Sequence, residues 1–257
     1  MRRAFVWLLA GIIVIGVTIV AFCPASWMSV LLERQTGGRL TLGDAQGTLW
    51  DGSAFVGGAP GGTEAVTPLL PGRFAWRLSP AVLLGRVDLA IENPQALAQP
   101  VRIGGSWNDW QVSPSSLTLP AERLAGLGAP LNTVQLSGQM RLVWNALQIA
   151  RQERQIALNG LITLEMRDIA SRLSPIKPLG SYDFTMDWRG QQAQVGLKTV
   201  QGPLLLSGAG AINKGRLRFS GKAEAGAGQE ERLANLLNLL GQRRVEGNKT
   251  FIALEFK

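Results

Sequence analysis

Histidine is absent from the 257 residues, and cysteine occurs once, at Cys23. Without imidazole, Ser-His-Asp and Cys-His nucleophile activation, imidazole metal sites and imidazole proton shuttling are excluded together. A lone thiol forms no intramolecular disulfide and no thiolate zinc site, so the fold stands on its hydrophobic core. Carboxylate-only and Ser-Lys chemistry remain open on composition alone. Charge is also sparse, at 17% of residues, and gathers into no run. The net charge is +8, of which Arg2 and Arg3 supply two, leaving +6 on the remainder. The densest basic pairs are Arg243-Arg244 and Arg216 with Arg218. Nucleic-acid binding calls for a basic patch interleaved with aromatics. Scattered cations instead read as a solvated basic surface, with anionic head groups or an acidic partner ahead of nucleic acid.

What the chain has at its start is an uncharged apolar run over residues 4–23, preceded by Arg2 and Arg3 and closed by Pro24. A helix of that run is about 30 Å long, the thickness of the hydrocarbon core of a bilayer. The paired arginines favour a cytoplasmic N-terminus. A cleaved signal peptide has a shorter apolar core, ~7–15 residues, and ends at a small-x-small site. Here the nearest such sites carry Pro24 at or beside the scissile bond, and Phe22 stands before Cys23 where a lipoprotein needs a small residue. The expected organisation is a cytoplasmic tip (1–3), a transmembrane anchor (4–23) and an exterior domain (24–257).

Beyond Pro24, residues 24–38 predict a juxtamembrane helix with Trp27, Val30, Leu31 and Arg34 at helical spacing and Gly37-Gly38 as its stop. Trp27 stands either at head-group depth or as the first core residue. From there on the pattern has period two. Val134, Leu136, Gly138, Met140, Leu142 and Trp144 alternate with Gln135, Ser137, Gln139 and Arg141. Tyr182, Phe184, Met186 and Trp188 alternate with polar neighbours, as do Ile162, Leu164 and Met166. Shorter copies occur at Phe74-Trp76-Leu78, Val87-Leu89-Ile91 and Leu217-Phe219. Such alternation marks antiparallel strands with one buried and one wet face. Turn signals fall at Asp51-Gly52, Gly57-Gly58, Asn93-Pro94, Gly104-Gly105, Asn159-Gly160, Arg189-Gly190 and Lys214-Gly215.

Helix is scarce in this part. Residues 229–240 place Leu233, Leu236, Leu237 and Leu240 on one stripe, with Glu230 and Glu231 in the first turn and Gly241 as a stop. A shorter helical turn is expected around residues 121–127, and its Leu-Gly ending resembles the end of the later helix closely enough to raise an internal repeat. The fold class is mainly β: one N-terminal membrane helix, then a large, curved, mostly antiparallel sheet, groove or sandwich, with one or two short amphipathic helices.

No catalytic constellation emerges. Asp183 and Asp187 share a strand face but lie about 13 Å apart at 3.3 Å per residue, too far for a glycosidase pair on one flat strand. Glu165 and Asp168 fare no better. The glycine-rich stretch at 57–62 lacks the strand and helix context of a phosphate loop, and no metal-ligand spacing occurs. The segment Gly47-Thr48-Leu49-Trp50-Asp51-Gly52 reads as a tight hairpin whose Trp caps the sheet. Trp76, Trp107, Trp110, Trp144 and Trp188 read as packing aromatics at or near strands.

Taken in order, several segments resemble the type II secretion system protein N family. They are the short cytoplasmic tip and single span, Gly47-x-Leu49-Trp50-x-Gly52, and Phe74-Ala75-Trp76-Arg77-Leu78-Ser79-Pro80. In mid-chain follow Leu119-Pro120 and Leu127-Gly128-Ala129-Pro130-Leu131, then Leu136-x-Gly138-x-Met140-x-Leu142-x-Trp144. The resemblance implies a non-enzymatic accessory subunit of the bacterial inner membrane, facing the periplasm. Its expected partners are other secretion-machinery subunits and inner-membrane lipid, with no cofactor and no nucleic acid. No catalytic residues carry over. A looser likeness, to AsmA-type bridge proteins, implies a hydrophobic β-groove with bound lipid.

Overall fold

The computed structural model describes residues 2–38, 40–58, 67–123, 135–152, 155–240, 242–246 and 249–256. Helix α1 spans Arg2–Ala21. Its described side chains begin at Trp7, and all of them through Phe22 are exposed. Among the described residues no helix is long and apolar enough to cross a membrane. Helix α2 (Ser26–Thr36) follows, ended by Gly37 in the left-handed conformation with its N–H donated to the Glu33 carbonyl.

Everything else centres on one sheet, in which seventeen strands are described. The first hairpin pairs β1 (Leu40–Gly47) with β2 (Asp51–Gly58), and the two-residue β3 (Thr67–Pro68) pairs with the end of β2. Then come β4 (Phe74–Leu78), β5 (Arg86–Glu92), β6 (Val101–Ser106) and β7 (Asp109–Val112), each antiparallel to its predecessor, β4 pairing with β2. Strands β7 and β8 (Ser115–Pro120) run as one interrupted strand. They pair in a single register with β10 (Leu147–Gln152) and β9 (Leu136–Trp144). The long β11 (Gln155–Ser171) takes both β9 and β10 on one edge and β12 (Gly180–Gly190) on the other. The meander continues through β13 (Gln192–Gln201), β14 (Leu204–Asn213) and β15 (Arg216–Ala225). Helix α3 (Glu230–Leu240) then leads to β16 (Gln242–Glu246) and β17 (Lys249–Phe256), and β17 inserts between β15 and β16.

All described pairings are antiparallel, as the alternating pattern and sparse helix predict, and most are made by short connections between neighbouring strands. The sandwich alternative is corrected: all the described strands belong to one sheet, because successive strands pair with the growing edge and β17 joins β15 to β16 within the same sheet. Three turn signals are also corrected. Asp51-Gly52 opens β2, and the turn itself lies at 48–50. Gly104-Gly105 and Asn159-Gly160 lie inside β6 and β11. Asn159 serves a turn without being in one, since its side-chain carbonyl accepts the Gly190 N–H at 2.9 Å at the next hairpin. Arg189-Gly190 and Lys214-Gly215 do sit at hairpins. The helical turn expected at 121–127 lies mostly outside the described residues, as do Val134 and Gly241.

The register gives the sheet two ends. One carries the 48–50 turn, the 3-10 turn Pro80–Leu84, the 107–108 turn and the hairpins at 191 and 214–215. The other carries the connections at 93–100, 172–179 and 202–203 and the start of α3. It also gives two faces. Trp144, Ile162, Met186, Val195, Gly210, Phe219 and Phe256 form one row of direct neighbours across seven strands. A parallel row runs Arg141, Glu165, Asp183, Lys198 and Ser207. Side chains alternate faces along every strand, so a register held across the meander keeps the apolar set together.

Candidate functional surface

The segment singled out in the sequence forms a junction between α1 and the sheet. Gly47 has φ 85°, and a Cβ there would stand 2.4 Å from the Asp51 carbonyl oxygen, so only glycine closes this turn. The Thr48 N–H donates to the Asp51 carbonyl at 2.8 Å, while the Thr48 hydroxyl accepts from the N–H groups of Trp50 and Asp51. Leu49 N–H donates to the Cys23 carbonyl at 2.8 Å. Trp50 reaches outward, and its Nε1–H donates to the Val20 carbonyl at 2.8 Å. Val20 lies in the last turn of α1, whose carbonyls have no partner within the helix. Trp50 therefore caps a helix end. Trp76, on β4, donates Nε1–H to the Leu49 carbonyl at 3.1 Å from below and is buried with Ala25 and Ala54. Gly52 gives that ring its room, since a Cβ there would come within 2.6 Å of Trp76 Cζ2.

The two short helices cover opposite ends of the apolar face. Helix α2 lies along β1, with Met28 packed on the cluster of Ala25, Ala54 and Trp76. Its Trp27, Val30 and Leu31 face outward; Trp27 is 63% exposed, which rules out its reading as a core residue. At the far end, α3 sets Leu233 and Leu236 into a cluster with Ile176, Leu179 and Leu204, and Leu237 packs beside them. The side chain of Leu240 lies outside the described residues. Between these covers, Ile103, Ile149, Ile162, Phe184, Met186 and Leu197 are only half-buried. Trp188, on the same parity, has a buried Nε1 without a partner among the described residues, and it lines a hollow of about 430 Å³ with Ile156 and Leu158.

The opposite face is wet and ion-paired. Glu165 and Asp183 stand directly opposite one another, a pairing the sequence reading did not make. Arg141 holds Glu165 at 3.2 Å, and Arg167 and Lys198 hold Asp183 at 2.7 and 3.6 Å. Asp187 is paired with Arg189 at 3.0 Å. Glu165 and Asp183 neutralise cross-strand cations, which like charges facing each other need, while Asp187 pairs along its own strand. No group of three or more metal-ligating side chains occurs among the described residues. Burial pushes the Tyr182 phenol well above the usual range, and its hydroxyl donates to the Leu204 carbonyl at 3.0 Å.

The edge strand β1 carries a device that was not legible in the sequence. Its register shifts between Gly43 and Gln46, with Asp44 at φ 50°. Arg73 donates to the Asp44 and Ser53 carbonyls, pairs with the Asp44 carboxylate and lies 4.6 Å over the Phe55 ring. A bulge of this kind bends an open edge out of the flat geometry that recruits another strand.

A single sheet with one ion-paired face and one partly covered apolar face defines a mainly β protein whose conspicuous feature is a surface rather than a cleft. The chain belongs to the type II secretion system protein N family, a component of secretion machinery, and the match extends over residues 38–251. No curated protein and no solved structure matches it.

Proposed function

We propose that this chain is a non-enzymatic scaffold subunit of the type II secretion machinery, anchored in the bacterial inner membrane by residues 4–23. Residues 24–257 then face the periplasm and support export of folded proteins across the outer membrane. The observation that carries this reading is the junction. An apolar helix with every described side chain from Trp7 exposed is tied to the sheet by Trp50, so the sheet is presented at a defined place relative to that helix. An apolar helix that no other described part of the chain covers calls for a non-aqueous surrounding. The carboxylates on the wet face are spent on cations and do not converge on a cleft, which favours binding over chemistry. Contacts with other machine subunits run through the outer edge of β16 and the exposed side of α3. In a clean deletion lacking any redundant homologue, exoproteins accumulate in the periplasm while their inner-membrane passage continues. Normal secretion by that strain rejects the scaffold role.

A second reading has its own support. The half-buried apolar side chains between α2 and α3 fit the acyl chains of a lipid, as in the AsmA-like groove. Native mass spectrometry of detergent-extracted protein, with a photo-crosslinker at Met186, tests it. No copurifying lipid and no lipid adduct rejects the groove.

A further inference from the structure

The end of the sheet that holds α1 also displays a group of strongly exposed apolar side chains. Leu84 is 90% exposed, and Leu83 and Trp107 are each 57% exposed. They belong to two neighbouring connections, the 3-10 turn Pro80–Leu84 and the 107–108 turn. The turns are fastened together, because Trp107 Nε1–H donates to the Val82 carbonyl at 2.6 Å. Three large apolar groups are thus fixed as one tip. Scattered exposed leucines need no explanation, but a fixed apolar tip does.

The tip is tied to the anchor junction through one residue. Trp50 donates its indole N–H to Val20 at the end of α1, and its backbone carbonyl accepts the Leu78 N–H at 2.7 Å. Leu78 ends β4, and Pro80 begins the 3-10 turn two residues later. Basic side chains flank the tip. Arg86 pairs with Ser106, the residue before Trp107, and the Arg151 backbone N–H donates to the Asn108 carbonyl at 2.6 Å. Both arginines are exposed. Asp109 opens β7 directly after the 107–108 turn, and Asp88 stands two residues behind Arg86 on β5, so the two arginines outnumber the one carboxylate beside the turn.

We propose that Leu83, Leu84 and Trp107 form a membrane-contact tip that inserts into the head-group region of the bilayer holding α1, with Arg86 and Arg151 meeting anionic lipid. The Trp107 indole, its N–H already satisfied by Val82, presents an apolar ring, and two leucines supply further apolar insertion. With α1 this makes a second point of attachment, and two points fix the tilt of the sheet where one leaves it to swivel. The proposal rests on the membrane-anchor reading, and its test separates the two.

The test uses the full chain with Cys23→Ala and one nitroxide, placed at Leu84→Cys, Leu173→Cys or Ile13→Cys. Each is reconstituted in phosphatidylcholine vesicles containing phosphatidylglycerol. Leu173 is exposed on the connection at the opposite end and serves as the aqueous reference. The expected result is an oxygen-to-nickel accessibility ratio at Leu84 severalfold above that at Leu173, as burial of an apolar side chain at the interface implies, and rising with the share of phosphatidylglycerol. Equal ratios at Leu84 and Leu173 with a buried Ile13 overturn the tip and leave the anchor standing. An aqueous Ile13 overturns both. A high Leu84 ratio indifferent to phosphatidylglycerol supports apolar insertion and overturns the role of the arginines.

Discussion

Phe184 on β12 and Phe219 on β15 lie 6.5 Å apart, centroid to centroid and tilted by 54°, although two whole strands separate them. Four strands at normal spacing place the outer backbones about 14 Å apart. The Phe219 ring closes that distance by lying inward over glycine. A Cβ on Gly208 would stand 2.4 Å from Phe219 Cζ, and one on Gly221 would stand 2.8 Å from its Cε1. Ring contact across the strands thus depends on side chains that are absent, and this produces a continuous apolar surface at the centre of β12 to β15.

Gly208→Val therefore drives the Phe219 ring off its floor and breaks its contact with Phe184. The expected cost is about 1–3 kcal/mol, as for overpacking in a filled interior. It is read as a lower urea midpoint for the detergent-solubilised chain, and an unchanged midpoint contradicts the packing described here.

On α3, Leu233 is fully buried and Leu237 only half-buried. Leu233→Ala is expected to cost about 2–5 kcal/mol, the range for emptying a leucine site in a core. Leu237→Ala costs clearly less. Equal losses at the two positions show that the helix does not hold the face described.

Trp50→Phe keeps an aromatic ring but removes the indole donor to the Val20 carbonyl. A net loss of about 0.5–1.5 kcal/mol follows from one hydrogen bond. The specific readout is local: hydrogen exchange speeds up at Phe22 and Cys23, whose N–H groups donate to the carbonyls of Thr18 and Val20. Exchange in β12 and β13 stays as it was. Faster exchange throughout the sheet shows that Trp50 acts on the fold as a whole.

Tyr182 is the single tyrosine of the chain, so the tyrosinate absorbance band reports it alone. Burial raises its folded pKa above the unfolded value of about 10. The folded state therefore holds the proton more tightly. This contribution to stability is fully present below the unfolded pKa and is lost as pH rises above it toward the folded value. The band is expected to appear only with alkaline unfolding. Tyr182→Phe removes this alkaline loss of stability, and titration of the native protein near pH 10 refutes the burial.

Strand content was the most legible property. The alternations around Met140, Leu164 and Phe184 all fall in strands, because a half-buried sheet imposes period two on its residues. The leucine stripe of residues 229–240 likewise appears as α3, a residue shorter at its start. Turn signals were less legible: Asp-Gly and Asn-Gly open turns in many chains, yet here they lie within β2 and β11. Glycine in a strand gives the same local signal whether it turns the chain or makes room for a neighbour.

The sequence by itself determined the β class, the pairing of one apolar with one wet parity, the two short helices and the exclusion of thiol and imidazole chemistry. These follow from residue type and period, which act locally. Only the tertiary structure decided that the strands form one sheet, that Glu165 faces Asp183, that Trp50 caps α1 and that Leu84 joins Trp107 at the same tip. Each of these depends on register between segments distant in sequence, and a one-residue slip reverses which face every side chain occupies. Local preference specifies the strands, while the cooperative packing of the whole meander selects their register.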